Sequence, residues 1–505
     1  MKCKRLHNRG GTFMENRSSG LLLHVSALPG KYGIGDFGEN AYQFVDFLSA
    51  TGTKYWQILP LGITSFGDSP YQSFSAFAGN PYFIDFDRLV EAGWLKQSEI
   101  IRTDLGEDEE CVDYAKLYEG KMALLDKAFQ RAYPEVEGEL DRFTAEHEDW
   151  LPDFACFMAI KKAHGNVAWT EWPAPYRLRD EKVLDEFHGK HRKDIHFWVF
   201  TQYLFFEHWG DLKHYANQKG IRIIGDIPIY VAADSADVWS RPDLYKLKEN
   251  LEPSVVAGVP PDMMSDTGQL WGNPIYDWER MEKEGYHWWV RRVEESFRLY
   301  DAVRIDHFRG FEAYWEVPAE DETAENGEWV KGPGMSLFKA IREQLGEKEI
   351  LAEDLGFLTQ EVHDLIEETG YPGMKVLQFG FGGEEGYLPH NYTRHTIAYT
   401  GNHDTQTMRG WLESADEEAV EAARAYLNLT EEEGYVDGLI RGVFASSSNL
   451  AIIPVQDLLG LDDSARFNVP STIGGNWEWR LTQDDLQKRH RKHLKNLNER
   501  YGRSL

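Results

Sequence analysis

Short apolar runs dense in Val, Ile and Leu recur along the chain, each followed by glycine, proline or polar residues. They occupy residues 21–28 (LLLHVSAL), 55–61 (YWQILPL), 221–231 (IRIIGDIPIYV), 302–308 (AVRIDHF), 349–355 (EILAEDL), 374–381 (MKVLQFGF), 396–400 (TIAYT) and 450–455 (LAIIPV). Runs of this density suit strands that are covered on both faces. Helix-like stretches separate several of them, for example residues 40–49, 288–298 and 360–369. Repeated strand–helix alternation builds parallel βαβ units. Eight such strands predict an α/β fold closed into a (β/α)8 TIM barrel.

The spacing is uneven, and this shapes the domain reading. The barrel is expected over residues 18–480. Residues 87–220 exceed what one crossover helix needs; rich in Glu, Lys, Leu and Trp, they read as a mainly helical inserted subdomain. A smaller insertion is expected over 311–334 and a C-terminal helical segment over 481–505. The acidic run 431–433 reads as solvated surface.

Composition narrows the partners. The 505 residues carry a formal net charge of −30, which repels phosphate backbones and argues against nucleic acid. Neutral ligands meet no such barrier. Trp 17 and Tyr 24 are numerous; a large core absorbs many of them, and the remainder suit stacking on apolar sugar faces. The odd set Cys3, Cys111 and Cys156 argues against a disulfide framework. No apolar run has membrane-spanning length, and the polar, basic start lacks the apolar stretch of a secretory signal. The expectation is a soluble cytoplasmic protein without a membrane partner, with Met14 an alternative start.

In such a barrel the reactive residues stand at the C-terminal ends of the strands, and acids gather there: Asp226 in the third run, Asp306 in the fourth, Glu353 and Asp354 in the fifth, Asp404 after the seventh. Convergent carboxylates are the equipment of glycosidic chemistry. Arg304 and Asp306, two apart, share a strand face, and a guanidinium beside a carboxylate keeps it ionised as a nucleophile must be. The alternative is a structural ion pair. Glu353 is the candidate proton donor, its proton held by burial and by the charge of Asp306. The alternative is that Glu353 or Asp354 caps the next helix; alternation implies that one of the two points inward. Asp404 is placed to bind sugar hydroxyls and stabilise positive charge, with His403 and His307 as donors nearby. Gly33 to Gly38 fits the G-x-G-x-x-G pattern, but the acid expected some twenty residues on is missing, so a turn opening the first barrel helix is the better reading. No metal-binding or nucleotide motif is present, and no cofactor is expected.

Taken together, the stretches SSGLLLHVSALPGKYGIGDFG, KYWQILPLG, DSPYQSFSAFAGNPYFID, GDIPIYVAADSADVW, GVPPDMMSDTGQLWGNPIYDW, VRIDHFRGF, LAEDLG, YPGMKVLQF, TGNHDTQTMRGW and NWEWR strongly resemble the amylomaltases, or disproportionating enzymes, of the glycoside hydrolase superfamily that includes the α-amylases. The likeness runs from about residue 18 to 480. It implies a barrel without the C-terminal β-domain of the α-amylases. It also implies a 4-α-glucanotransferase acting by retaining double displacement on maltooligosaccharides, starch- or glycogen-type α-1,4-glucans and glucose. The resemblance makes Asp306 the nucleophile, Glu353 the acid/base and Asp404 the transition-state stabiliser. It implies sugar-contacting or supporting roles for Tyr71, Asp226, Arg304 and His403, and lid-loop roles for Gln269, Trp271 and Asn273. Residues 258–262 (GVPPD) read as part of that lid, with a rigid surface turn as the alternative. Trp477 and Trp479 read as core. Retaining chemistry expects the two working carboxyls roughly 5–5.5 Å apart. An α-glucan hydrolase with the same carboxylates, and a non-catalytic glucan-binding protein, are the competing readings.

Overall fold

The computed structural model describes residues 16–261, 265–356 and 358–505. Met14, Cys3 and Asp262 of the lid motif lie outside them. All eight apolar runs overlap strands, the first and sixth strands beginning before their runs: β1 (Ser18–Leu22), β2 (Tyr55–Gln57), β3 (Arg222–Ile227), β4 (Ala302–Ile305), β5 (Ile350–Ala352), β6 (Gly373–Val376), β7 (Thr396–Tyr399) and β8 (Leu450–Pro454). Each is shorter than its run, because the apolar pattern continues into the loops and turns that cover the barrel ends. The strands pair in parallel in the order β6-β7-β8-β1-β2-β3-β4-β5. Between β5 and β6 the seam is closed by Ala352 N donating to Pro372 O at 3.0 Å and by Met374 N donating to Asp354 Oδ1 at 2.6 Å. A Cβ on Gly373 would lie 2.2 Å from the Asp354 carboxylate, so any larger residue there would have to displace the side chain that bonds to Met374 N. The result is a (β/α)8 barrel.

The interior follows from composition. Leu21, Trp56, Ile224, Val303, Leu351, Val376, Ile397 and Ile452 are essentially inaccessible to solvent and belong to one continuous core. Between β2 and β3 the chain forms long helices, among them Met122–Glu146, Leu151–Ala163 and Arg192–Gln218. The last leads through a short turn at Lys219 and Gly220 into β3 and packs on the barrel, with Trp209 Nε1 donating to Leu299 O at 2.9 Å.

Periodicity did not reveal a second, antiparallel sheet made of Val255–Val259, Gln269–Pro274, Ala313–Pro318 and Glu328–Lys331. Its short strands are interrupted by Gly258 and Gly272 and lack a clean two-residue alternation. The G-x-G-x-x-G segment forms the expected turn before helix Glu39–Thr51. A Cβ on Gly35 would meet Val25 O at 2.0 Å, so close chain packing rather than a phosphate accounts for this glycine. Among the described residues no helix is long and apolar enough to cross a membrane.

The C-terminal residues are tied to the barrel floor. Arg503 is fully buried, and its guanidinium donates to the carbonyls of Ser18, Phe444, Ser446, Ser448 and Asn449 at 2.8–3.2 Å. Burial, then the charge of Arg17, pulls its pKa down to about 9, which a set of carbonyl acceptors tolerates. Phe444 O and Ser446 O also accept from Arg17, and Asn449 O from Ser18 N, so losing Arg503 strands only part of this set. Arg503→Met is therefore expected to cost about 1–3 kcal/mol, read as a clear drop in the thermal unfolding midpoint. A midpoint within a degree of wild type would refute the staple.

Candidate active site

The strand registers bring the acids together. Asp226 on β3 pairs in register with Arg304 on β4, so the two side chains share a face. Arg304 Nη1 donates to Asp226 Oδ2 at 2.6 Å and its Nη2 reaches Asp306 Oδ1 at 2.9 Å. Arg304 and Asp226 are almost wholly buried, whereas Asp306 keeps 27% of its side chain open to the cleft. Burial pushes Asp226 up to about 6 against the pull of Arg304, and the two carboxylates hold Arg304 firmly cationic despite its own burial. Tyr71 donates its hydroxyl to Asp226 Oδ2 at 2.9 Å.

The chain turns sharply after Asp306. His307 adopts a left-handed conformation, φ 49° and ψ 51°, which is costly for a residue with a side chain. The turn aims His307 N at Glu353 Oε2, 2.7 Å away, while Leu355 N donates to Oε1 at 2.9 Å. Glu353 is raised to about 7. Burial is the largest cause; the charge of Asp306 adds to it, and Arg304 and the two amides oppose it. The next helix begins at Gln360, with Thr359 before it, so neither Glu353 nor Asp354 caps it. Glu353 faces the cleft and Asp354 faces the β5–β6 seam, as alternation requires.

Asp404 completes the arc. His403 Nε2 meets Asp404 Oδ2 at 3.0 Å and Asn468 Nδ2 donates to Oδ1 at 2.7 Å. Burial alone would raise this acid, but the charge and hydrogen bond of His403, the Asn468 amide and Arg304 bring it down to about 2. His403 is raised in turn, burial being outweighed by Asp404. Its ring stacks on Tyr71 at 5.1 Å, and Trp477, buried as expected, backs both rings at 6.0 and 5.9 Å. All three acids thus surround the Arg304–Tyr71–His403 cluster, with Glu353 and Asp404 each acting electrostatically on that cluster.

The lid candidates divide. Trp271 sets its ring edge-on to His307, centroids 4.8 Å apart, and Gln269 Oε1 accepts from Trp271 Nε1 at 3.2 Å. Asn273 is buried and bonded to Val231 O at 2.8 Å and to Gln72 at 3.2 Å, so it ties the hairpin to the β3 loop. Sequence reading missed Asn468 and Arg466. They sit on a loop after β8, away from any strand end, and nothing in their local pattern points to the cleft. Among the described residues no group of His, Cys, Asp and Glu is arranged to hold a metal ion.

A family model described as 4-alpha-glucanotransferase matches residues 23–486, nearly the whole chain. The chain belongs to the 4-α-glucanotransferase family. A 4-alpha-glucanotransferase of Clostridium butyricum is 50% identical over 95% of this chain and 100% of its own length. That of Thermus thermophilus is 48% identical over 96% and 98%. The solved structure of amylomaltase from Streptococcus agalactiae in complex with acarbose superposes with a TM-score of 0.94 at 45% identity, covering 97% of this chain and all of that one. A Corynebacterium glutamicum amylomaltase shares the fold at 18% identity, TM-score 0.77, covering 97% of this chain and 76% of that one. The transferase reading, over the hydrolase and the non-catalytic one, stands with this family membership.

Proposed function

We propose that this cleft breaks an α-1,4 glucan by retaining double displacement and passes the segment to the 4-hydroxyl of glucose or another α-1,4 glucan. The observation that carries the reading is a pair of neighbouring carboxyls under opposite influences: Asp306 anchored on a cationic guanidinium and Glu353 raised to about 7. A carboxyl paired with a cation beside one whose proton is held more firmly is what such chemistry needs at neutral pH.

In the first step an Asp306 oxygen bonds to the anomeric carbon while the C1–O bond to the departing chain breaks, and Glu353 gives its proton to that oxygen. Asp404 and His403 face the ring hydroxyls as positive charge develops. Esterified Asp306 is neutral, so the part of the proton's hold on Glu353 that its charge added to burial is gone, while Arg304 still opposes protonation. Glu353 then serves as base for the incoming 4-hydroxyl, whose oxygen takes C1 and releases Asp306. Asp226 keeps Arg304 paired throughout, so the guanidinium is never left as a lone buried charge. Trp271 and Gln269 line the lid that favours an oriented acceptor over water. The substrates are maltooligosaccharides and starch- or glycogen-type glucans, and the free thiols of Cys111 and Cys156 suit a cytoplasmic setting.

Maltotriose is the test. Transfer yields glucose together with maltopentaose and longer products at constant total reducing ends. A rise in reducing ends without longer chains would refute the proposal.

A further inference from the structure

Asp404 hangs on a loop outside every barrel strand. Residues 466–477 double back on themselves: Trp477 N donates to Phe467 O at 2.7 Å, while Asn476 accepts from Val469 N at 2.9 Å and donates to Thr472 Oγ1 at 3.0 Å. The neck of this loop grips the segment that carries the acid. Arg466 Nη2 donates to Asp404 O at 2.5 Å and its Nε to Asn468 O at 2.8 Å. Asn468 N donates to His403 O at 3.1 Å, and its side-chain amide donates to Asp404 Oδ1 at 2.7 Å. One loop therefore holds both the main chain and the carboxylate of Asp404.

The two carboxylate oxygens take different donors, His403 on Oδ2 and Asn468 on Oδ1. A carboxylate offers about four acceptor positions, so two remain for a ligand. The side chain is 39% exposed, which leaves those two reachable from the cleft. A single donor on one oxygen would let the group turn about its terminal bond; a second donor on the other oxygen fixes its plane. The charges that act on it are His403 beside it and Arg304 across the cleft, with Arg466 on its main-chain oxygen and Tyr71 stacked behind His403.

We propose that Asn468 is a positioning residue for the transfer reaction, fixing the plane of the Asp404 carboxylate so that two hydroxyls of the reacting sugar meet acceptors already oriented. This rests on the reading of Asp404 as the group that stabilises the transition state. An amide suits the task because it donates firmly without adding charge. Orientation in place before the reaction strengthens the contact most in the transition state, so its loss falls on kcat more than on KM.

Two variants test this. Asn468→Ala is expected to lower kcat for maltotriose about 10- to 100-fold, with KM little changed, by the same factor at every pH from 5 to 8. Asn468→Asp is nearly isosteric and places two carboxyls side by side, where they share one proton. At low pH the protonated partner donates as the amide did. As pH rises the shared proton leaves, the donor is lost and like charges repel. The alkaline limb of this variant should therefore fall about one unit or more below that of wild type. A purely structural role would lower the melting temperature and scale all rates without moving the limb. Asn468→Ala within twofold of wild-type kcat, or an Asn468→Asp profile of wild-type shape, would overturn the proposal. Should Asn468→Ala fail to fold, Asn468→Asp decides alone. Wild type is assayed alongside: its inactivity on maltotriose would strike the functional reading, whereas an active wild type leaves the variants to speak only about Asn468.

Discussion

Asp306→Asn is expected to lower kcat on maltotriose roughly 10⁴- to 10⁶-fold while maltooligosaccharide binding survives. The amide has the shape of the carboxylate but is a poor nucleophile, so no ester forms on it. Binding is expected to persist because the Arg304–Asp226 pair at 2.6 Å and the Tyr71–His403 stack do not depend on Asp306. Removing this charge also removes one of the influences that raise Glu353, so any residual activity should lose its alkaline limb at lower pH. Turnover and calorimetric binding on the same preparation check both halves. Residual kcat within a hundredfold of wild type would exclude Asp306 as the attacking group.

Glu353→Gln separates the two steps. The wild-type alkaline limb is expected near the value of about 7 set by burial and Asp306, because rising pH strips the proton that the leaving oxygen needs. With glutamine no proton is available, and kcat on maltotriose should fall about 10²- to 10⁴-fold, with that limb gone. A glycosyl fluoride leaves without protonation, so the first step should recover with such a donor. The second step still lacks its base. The glycosyl–Asp306 ester should then accumulate and be visible by mass spectrometry of the intact protein. A variant equally slow on fluoride and on maltotriose, with no adduct, would show that Glu353 does not serve as the proton donor.

Much of the frame was legible because barrel strands buried on both faces write themselves as dense apolar runs, and each of the eight runs overlaps a barrel strand. The acids were legible because barrel chemistry gathers at strand ends, so Asp226, Asp306, Glu353 and Asp404 stood out by position. The choice between Glu353 and Asp354 was narrowed by alternation alone. The antiparallel sheet escaped notice because its strands are short, glycine-broken and half exposed, and Asn273 proved to brace that hairpin.

The sequence by itself determined the barrel and the family and singled out the candidate acids, since dense apolar runs, matching stretches and strand-end position are all read along the chain. Tertiary structure alone decided what each acid experiences. The reach of Arg304 to Asp226, the left-handed turn that directs His307 N onto Glu353, and the grip of Asn468 on Asp404 all join residues far apart in the chain. Charge and burial act through space, so the protonation of a carboxyl is set by neighbours that only folding supplies.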